Sequence, residues 1–518
     1  MLRSAVVQLA VGQSGRHMPD HVFDLAVIGG GVNGCGIARD AAGRGFSVFL
    51  CEQGDLAGAT SSASTKLIHG GLRYLEQYDF RLVHESLVER EVLLKLAPHI
   101  IRPLRFVLPY HSGLRPWPII RTGLFLYDHL SFGRTLPGTK SLDLRSDPAG
   151  RGLKPMYTRA FEYSDCAVDD ARLVVLNARD AAERGAEILT RTRCLSAVRE
   201  GELWRLTVND GRDATHYETV AARALVNAAG PWVADVIAGV THTTTPTKVR
   251  LVKGSHVVVN RLFAHDRAYI FQNADGRVCF AIPYQGDFTL IGTTDEDYEG
   301  DPSAAEISAP ESEYLIDAVG EYLDMPIDRA SIRWTYAGVR PLHDDGSGKA
   351  QSASRDYSLE LDHPTGAAPL LSVFGGKLTT YRRLSEQAMD KLHTAFPDKG
   401  KSWTTKAPLP GGDIGRSFDA FAEDVARRFA FLPAPLIGRY ARAYGTRIDA
   451  LLDGVSGLAD LGRDFGAGLF AREVDYLAAN EWAAAAEDIL WRRTKLGLRF
   501  PKENIADLEA HLAKRPRL

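Results

Sequence analysis

The sequence predicts an α/β protein with an open parallel sheet wound with helices near its start, a mainly antiparallel sheet in its middle, and an all-helical C-terminal domain. Three observations carry this reading. A glycine-rich turn joins a strand-like run to a helical one within residues 22–45. Short apolar runs separated by turn residues fill 245–340. Beyond residue 405 the apolar residues recur at helical spacing.

From Val22 to Ile28 the chain reads as a short buried strand. Gly29-Gly30-Gly31-Val32-Asn33-Gly34 follows and matches G-x-G-x-x-G. Ile37, Ala38, Ala41 and Ala42 fall on one side of the next helix, which Gly43-Arg44-Gly45 closes. Phe46 to Cys51 is a second strand, ending at Glu52, 18 residues after Gly34. These parts make a Rossmann-like βαβ unit for a dinucleotide. Gly29 permits the tight turn, Gly31 lets the backbone approach a pyrophosphate, and Gly34 lets helix and strand pack closely. The helix N-terminus offers free N–H groups to the phosphates. Glu52 can accept hydrogen bonds from ribose hydroxyls and disfavours a 2′-phosphate. A glycine turn that merely packs tightly does not explain an acid at the end of the second strand.

Further βα units would favour NAD. Instead a Ser/Thr-rich stretch runs from Gly58 to Tyr74, and its hydroxyls and amides suit a diphosphate and an isoalloxazine edge. A later strand, Ala224–Asn227, enters Ala228-Ala229-Gly230-Pro231-Trp232, like the second nucleotide-contacting turn of flavoproteins. FAD is the expected cofactor.

Residues 76–97 read as a helix. Residues 100–132 interleave Arg102, Arg105, Arg115 and Arg121 with Trp117, Ile119, Ile120, Leu124, Phe125 and Tyr127. That mixture suits a lipid headgroup boundary; it equally suits a domain wall with solvated arginines and core aromatics. His256–Val259, Val278–Ile282, Phe288–Ile291 and Ile332–Tyr336 read as strands of the middle sheet, joined by turns such as Ala274-Asp275-Gly276. Residues 343–368 are loop-rich, and Leu370–Phe374 returns to the first sheet before Gly375-Gly376. Lys406-Ala407-Pro408-Leu409-Pro410-Gly411-Gly412 marks a boundary. After it Phe418, Phe421, Val425 and Phe429 make one helix face, Ala434–Tyr444 a helix closed by Gly445, and 472–497 another helical stretch. The expected division is an FAD-binding domain from 20–105, 161–240 and 350–398, a substrate-binding cap from 106–160 and 241–349, and a helical domain over 405–518. Residues 1–19 read as a disordered extension, with Met18 an alternative start.

Composition narrows the function. Sixty-two basic against 65 acidic residues give a net charge of −3, so no nucleic-acid partner is expected. Five cysteines without a CxxC pair, and no HExxH, predict neither a disulfide framework nor a metal site. No apolar run of 18 residues suggests a membrane span.

Several blocks together resemble the FAD-dependent glycerol-3-phosphate dehydrogenases, within the D-amino-acid-oxidase-like flavoproteins: TSSASTKLIHGGLRYLE (60–76), FEYSDCAVDDARLV (161–174), KGSHVVV (253–259), IGTTD (291–295), WTYAGVRPL (334–342), SRDY (354–357), LLSVFGGKLTTYR (370–382) and WRRTKLG (491–497). The resemblance spans about Phe23 to Gly497. It implies oxidation of sn-glycerol 3-phosphate to dihydroxyacetone phosphate by hydride transfer to FAD, with electrons passed to a membrane quinone. It also implies a peripheral protein on the cytoplasmic face of the bacterial inner membrane. No EF-hand loop occurs in 400–518, which favours the bacterial type over the mitochondrial animal one. No extra segment separates the shared blocks, which favours a dehydrogenase over the related peroxide-forming glycerol-3-phosphate oxidase. An amine oxidase or a non-catalytic flavin-binding subunit would not need so many cations. The C-terminal domain could serve packing, a homodimer contact or a quinone route.

Within these blocks the resemblance places cofactor contacts at Thr60, Ser61, Ser62, Lys66, Leu67, His69 and Gly70. Gly230, Gly375, Gly376, Leu378 and Thr379 join them, beside Gly29, Gly31, Gly34 and Glu52. A doubly charged phosphate in a partly dry pocket demands cations, preferably guanidinium forks. The blocks supply Arg73, Arg340 and Arg355 for it. Tyr74 stands beside them, and Lys377 is placed near the flavin and the reacting carbons. Arg340 is expected where a strand ends. The substrate hydroxyl proton needs a base, and His256, at the head of a strand, is favoured. His69 remains the alternative, either as base or as a group orienting the ring.

Overall fold

A six-stranded sheet forms the centre of the first half. Its order is Ser358–Asp362, Leu370–Phe374, Leu225–Asn227, Leu25–Ile28, Val48–Cys51, Glu187–Leu189. All neighbours are parallel except the first pair. Val27 lies opposite Leu50 on one side and Val226 on the other. These strands are apolar on both faces because both faces are covered. Helices Val32–Gly43, Asp170–Glu183 and Tyr381–Leu392 take one face, over a core that includes Val27, Leu50, Val174 and Leu384. Gly36 lets the last helix approach: a Cβ there would meet Ser385 Oγ at 2.5 Å.

This computed structural model describes residues 21–514 except 78, 132, 212, 214–216, 274, 344–355 and 416, and omits the side chains of Arg73, Glu76, Gln77 and His343. The expected extension over 1–19 and the phosphate ligand Arg355 lie outside the described residues.

Against the other face lies a four-stranded sheet that the sequence reading did not anticipate. Strands Arg193–Glu200, Leu203–Asn209 and Glu218–Ala222 form an antiparallel meander, and Val22–Phe23 adds parallel to the last. Its core joins Phe23, Phe49, Trp204 and Leu206. The predicted first strand is therefore two: the chain changes sheets at Asp24, where the Ser47 N–H donates to Asp24 Oδ2.

The second large sheet has ten strands. It is antiparallel except where Ala268–Gln272 runs parallel to Ile101–Pro109. Ile101–Pro109 and Arg159–Val168 belong to it and pair with each other, so it draws on more of the chain than 245–340. The expected His256–Val259 strand runs from Val249 to Asn260, which puts His256 in its interior rather than at its head, between Gly292 and Tyr336. Likewise Ile332–His343 continues through Arg340, which faces Val252, instead of stopping there. The sheet tolerates Pro341 because this strand pairs on one side only.

Beyond the proline-rich boundary, helices Phe418–Arg428, Ala434–Tyr444, Ala471–Asn480 and Ile505–Leu512 close around Val425, Tyr440, Leu477 and Leu508. Gly445, at φ +52°, ends the second of these. The stretch predicted as one helix over 472–497 breaks after Asn480 and resumes as a π-turn, Asp488–Arg493, followed by a 3-10 turn, Leu496–Leu498. Buried ion pairs dock this domain onto the first: Arg493 with Asp55 at 2.7 Å, and Arg172 with Glu481.

Candidate active site

The turn after Leu25–Ile28 opens a trench of about 890 Å³. Gly29 holds φ +113°, and a Cβ there would sit 2.5 Å from Ala228 O. At Gly34 a Cβ would fall 1.9 Å from Gly29 O, so only glycine lets the helix dock on the strand end. Helix Val32–Gly43 has no capping side chain of its own; the Val32 N–H donates to Ser61 Oγ at 3.0 Å. Glu52 accepts from the N–H groups of Gly30 and Gly54, both at 2.7 Å. Burial outweighs these bonds and pushes its carboxyl above the usual range. Gly29, Gly31, Glu52, Ser61, Ser62 and Gly230 all line this trench.

A second cavity of about 310 Å³ adjoins it, and Gly31, Thr60, Ser61, Gly230 and Gly338 line both. The two form one continuous hollow with glycine edges and a helix N-terminus at one end, dimensions and chemistry that fit an extended dinucleotide. Leu67, His69, Leu378 and Thr379 line the second cavity, as do Gly375 and Gly376 at φ +74° and +100°. Asn33 Nδ2 ties the first turn to this one by donating to Gly375 O at 3.1 Å. Lys66 and Gly70 do not line either cavity. The Lys66 ammonium donates to Ser62 O and pairs with Asp170, and burial pulls its pKa down to about 8. The Gly70 N–H donates to Tyr127 Oη.

The ten-stranded sheet supplies the opposite wall. His256, only 1% exposed, lines the second cavity together with Arg340, Lys377, Tyr74 and Asp295. Its Nε2 shares a 2.9 Å hydrogen bond with Thr65 Oγ1, and its Nδ1 has no partner in the protein. Gly292 opposite makes room for the ring: a Cβ there would meet it at 2.1 Å. Burial, then the charges of Arg340 and Lys66, hold the imidazole well below its usual range, so it is neutral. Arg340 is held in place: Nη1 donates to Asp295 at 2.5 Å and Nη2 to Thr293 Oγ1 at 3.0 Å. Gly254 gives it space, since a Cβ there would lie 2.0 Å from its Nη2. The Lys377 ammonium stands 4.0 Å from the centre of the Tyr74 ring. The His69 N–H donates to Thr379 Oγ1 at 3.2 Å. Arg73 lies in the turn Leu72–Gln77, and its side chain is outside the described ones.

Cavity residues that sequence reasoning passed over are Asn33, Thr65 and Asp295, with Tyr336 packed behind. Each sits inside a block quoted above or in the glycine turn, but nothing in spacing distinguishes it from its neighbours. Among the described residues no cluster could hold a metal ion.

A fold with a glycine-edged dinucleotide trench facing a cation-lined antiparallel sheet defines a flavin-type oxidoreductase. Residues 24–382 match the FAD dependent oxidoreductase family, and 402–510 match the C-terminal domain of alpha-glycerophosphate oxidase. The chain is 56% identical over 477 residues to a glycerol-3-phosphate dehydrogenase of Pseudomonas aeruginosa, covering 92% of each chain. It is 51% identical to the aerobic glycerol-3-phosphate dehydrogenase of Escherichia coli, covering 92% of this chain and 94% of that one. A D-erythritol 1-phosphate dehydrogenase of Brucella abortus is 53% identical, over 91% of this chain and 94% of its own. The glycerol-3-phosphate dehydrogenase of Bacillus halodurans, solved with FAD, shares the fold at TM-score 0.73 and 24% identity, over 96% of this chain and 95% of that one. The chain belongs to the FAD dependent oxidoreductases, in their glycerol-3-phosphate dehydrogenase branch, and FAD is its cofactor.

Proposed function

We propose that the protein oxidises sn-glycerol 3-phosphate to dihydroxyacetone phosphate and passes the electrons to a membrane quinone. The observation that carries this reading is one cavity in which a neutral buried histidine, an arginine and a lysine meet the edge of the dinucleotide trench. FAD, held by Gly29, Gly31, Glu52, Gly230 and Gly375-Gly376, supplies the acceptor for a hydride. Arg340, fixed by Asp295 and Thr293, grips the substrate phosphate, with Arg73 and Arg355 assisting, while Lys377 stands near the flavin and the reacting carbons. Phosphate binding orients the C2 hydroxyl toward His256 Nδ1, which takes the proton. The phosphate dianion also offsets the field of Arg340, and so raises the basicity of His256 when substrate is present. His69 and Thr379 position the cofactor edge.

Membrane contact is assigned to helix Trp117–His129. Ile119 is 53% and Phe125 58% exposed, with Arg115 and Arg121 exposed beside them. Trp117 is turned inward: it stacks on Phe161 at 3.8 Å beneath Arg159. No helix among the described residues is long and apolar enough to cross a membrane, which suits attachment at the surface. The attachment face is the cytoplasmic side of a bacterial inner membrane, where glycerol 3-phosphate and quinone meet.

The test is anaerobic addition of glycerol 3-phosphate to the yellow holoenzyme, with D-erythritol 1-phosphate alongside, following flavin absorbance. Bleaching by glycerol 3-phosphate at the lower concentration supports the reading. Bleaching by the four-carbon phosphate alone moves the substrate. Stoichiometric peroxide in air would make the enzyme an oxidase.

A further inference from the structure

The C-terminal domain contributes to the trench itself. Glu487, Trp491, Arg492 and Lys495, from the π-turn and the residues around it, line the same hollow as Gly29, Glu52 and Gly230. This segment is held from both sides. Arg493 donates twice to Asp55, at 2.8 and 2.7 Å, and Arg492 donates to the same carboxylate at 2.6 Å. Asp55 belongs to the loop that leaves Glu52 and also lines the trench. On the other side the Trp491 indole stacks on Trp334 at 4.4 Å. Trp334 contacts Tyr336 at 4.6 Å, and Tyr336 stacks on His256 at 4.7 Å. One pile of rings thus runs from the helical domain to the reacting cavity. Gly497 is part of the construction: a Cβ there would lie 2.5 Å from the Trp491 ring, so only glycine leaves the indole where it is.

We propose that the C-terminal domain is a clasp on the FAD site: Trp491 walls the trench, and the Arg492–Arg493 fork fixes the loop after Glu52. Its role is retention and positioning of the cofactor, distinct from hydride or proton transfer. A packing module would need the buried ion pairs but not an indole facing the trench, nor a glycine kept bare behind it. Two arginines on one buried carboxylate make the joint stiff, since either alone still pairs with Asp55 and only the loss of both would leave it unpaired in a dry seam. The clasp therefore closes on a preset geometry rather than floating over the nucleotide.

The test is FAD affinity of the full-length chain, measured by reconstituting the apoprotein and following flavin fluorescence. Trp491→Ala and Gly497→Ala each weaken FAD by about 10-fold or more, the size of one lost aromatic contact with its packing. Trp491→Phe stays within about 3-fold of the parent. Arg428→Ala, on an exposed pair with Asp449 far from the trench, leaves affinity unchanged. The thermal shift that FAD gives the apoprotein shrinks in Trp491→Ala; an equal loss of Tm with and without FAD would make the residue merely structural and overturn the proposal. Should the variants fail to fold, hydrogen exchange on the parent decides. FAD protects 488–495 as well as 29–34 if the clasp is real. Protection at 29–34 alone ends the proposal while leaving the cofactor site intact.

Discussion

His256 lies face to face with Tyr336, ring centres 4.7 Å apart and planes 14° apart. Tyr336 in turn donates its hydroxyl to Ser64 O at 2.8 Å, and Lys66 stands 4.8 Å from its ring. The imidazole is thereby fixed in plane, with Nε2 bonded to Thr65 Oγ1 and Nδ1 without a partner in the protein.

His256→Ala slows anaerobic flavin bleaching by about 10²–10⁴, the usual contribution of a general base. The oxidised flavin spectrum stays as in the parent. Because the folded protein lowers the pKa of this histidine below 6.5, its base function persists as pH falls past that value and is lost only at more acid pH. Stopped-flow reduction rates across pH give the result; bleaching at the parental rate would hand the role to His69.

Arg340→Ala raises KM for glycerol 3-phosphate by about 10² or more, with FAD retained, as expected when the cationic partner of a phosphate is removed. Asp295, left without this partner, adds repulsion toward the phosphate. Arg340→Lys recovers part of the affinity but not the fork geometry. Steady-state kinetics on the yellow variants decide it, and an unchanged KM would refute the phosphate role.

Glu311 links the substrate sheet to helix Ala309–Gly320. It accepts from Ser255 Oγ at 2.7 Å and Thr294 Oγ1 at 3.0 Å, pairs with Lys253 at 2.8 Å, and completes a capping box with Ser308. Together these hold its carboxyl down to about 2 despite burial. A depressed carboxylate stabilises the fold above its unfolded pKa, and the contribution disappears as pH falls from about 4.5 through about 2. Glu311→Gln therefore costs about 1–3 kcal/mol at neutral pH and progressively less in acid. Urea melts at pH 7 and pH 3 measure the difference; a constant gap would contradict the assignment.

Ile119→Ser with Phe125→Ser reduces flotation with anionic liposomes several-fold while leaving kcat with a soluble dye acceptor at the parental value. Trp117→Ser is a different experiment, since that indole is packed against Phe161. It lowers Tm, as core truncations of aromatic residues do. Undiminished flotation of the double variant would move the membrane face elsewhere.

Gly34→Ala prevents helix Val32–Gly43 from seating on the Gly29 carbonyl, which a Cβ would approach to 1.9 Å. The variant purifies colourless, or loses at least about 2 kcal/mol of stability, the cost of overpacking against backbone. FAD content per chain after gel filtration reports it, and full occupancy with parental Tm would count against the close-packing role.

The glycine turn, its flanking strand and Glu52 were legible because each part is local and its spacing is forced by backbone geometry. His256 and Arg340 were legible as cavity residues but not as positions in their strands. His256 and Arg340 were placed at strand ends, whereas the structure puts both inside long strands paired with each other, His256 facing Tyr336 and Arg340 facing Val252. Periodicity over a few residues cannot measure strand length when a glycine, a proline or an arginine interrupts the apolar run. The four-stranded sheet escaped notice because Arg193–Glu200 carries charge on its exposed face. Lys66 illustrates the reverse failure: it sits in a block full of cavity residues, yet its ammonium is spent on Asp170. The roles of Thr65 and Trp491 depend on partners 191 residues away, at His256, and at Trp334, a proximity no local pattern encodes.

The strand order of the parallel sheet has a bearing on synthesis. Leu225–Asn227 finds its outer neighbour only in Leu370–Phe374, and Leu25–Ile28 waits for Leu225–Asn227. Leu25–Ile28 therefore keeps one edge open until residue 227 has been made, Leu225–Asn227 keeps one open until residue 374, and the C-terminal helical domain emerges last. Until then the nascent chain carries open apolar edges, so premature termination anywhere before residue 374 yields a fragment destined for chaperones or proteolysis rather than a smaller working enzyme.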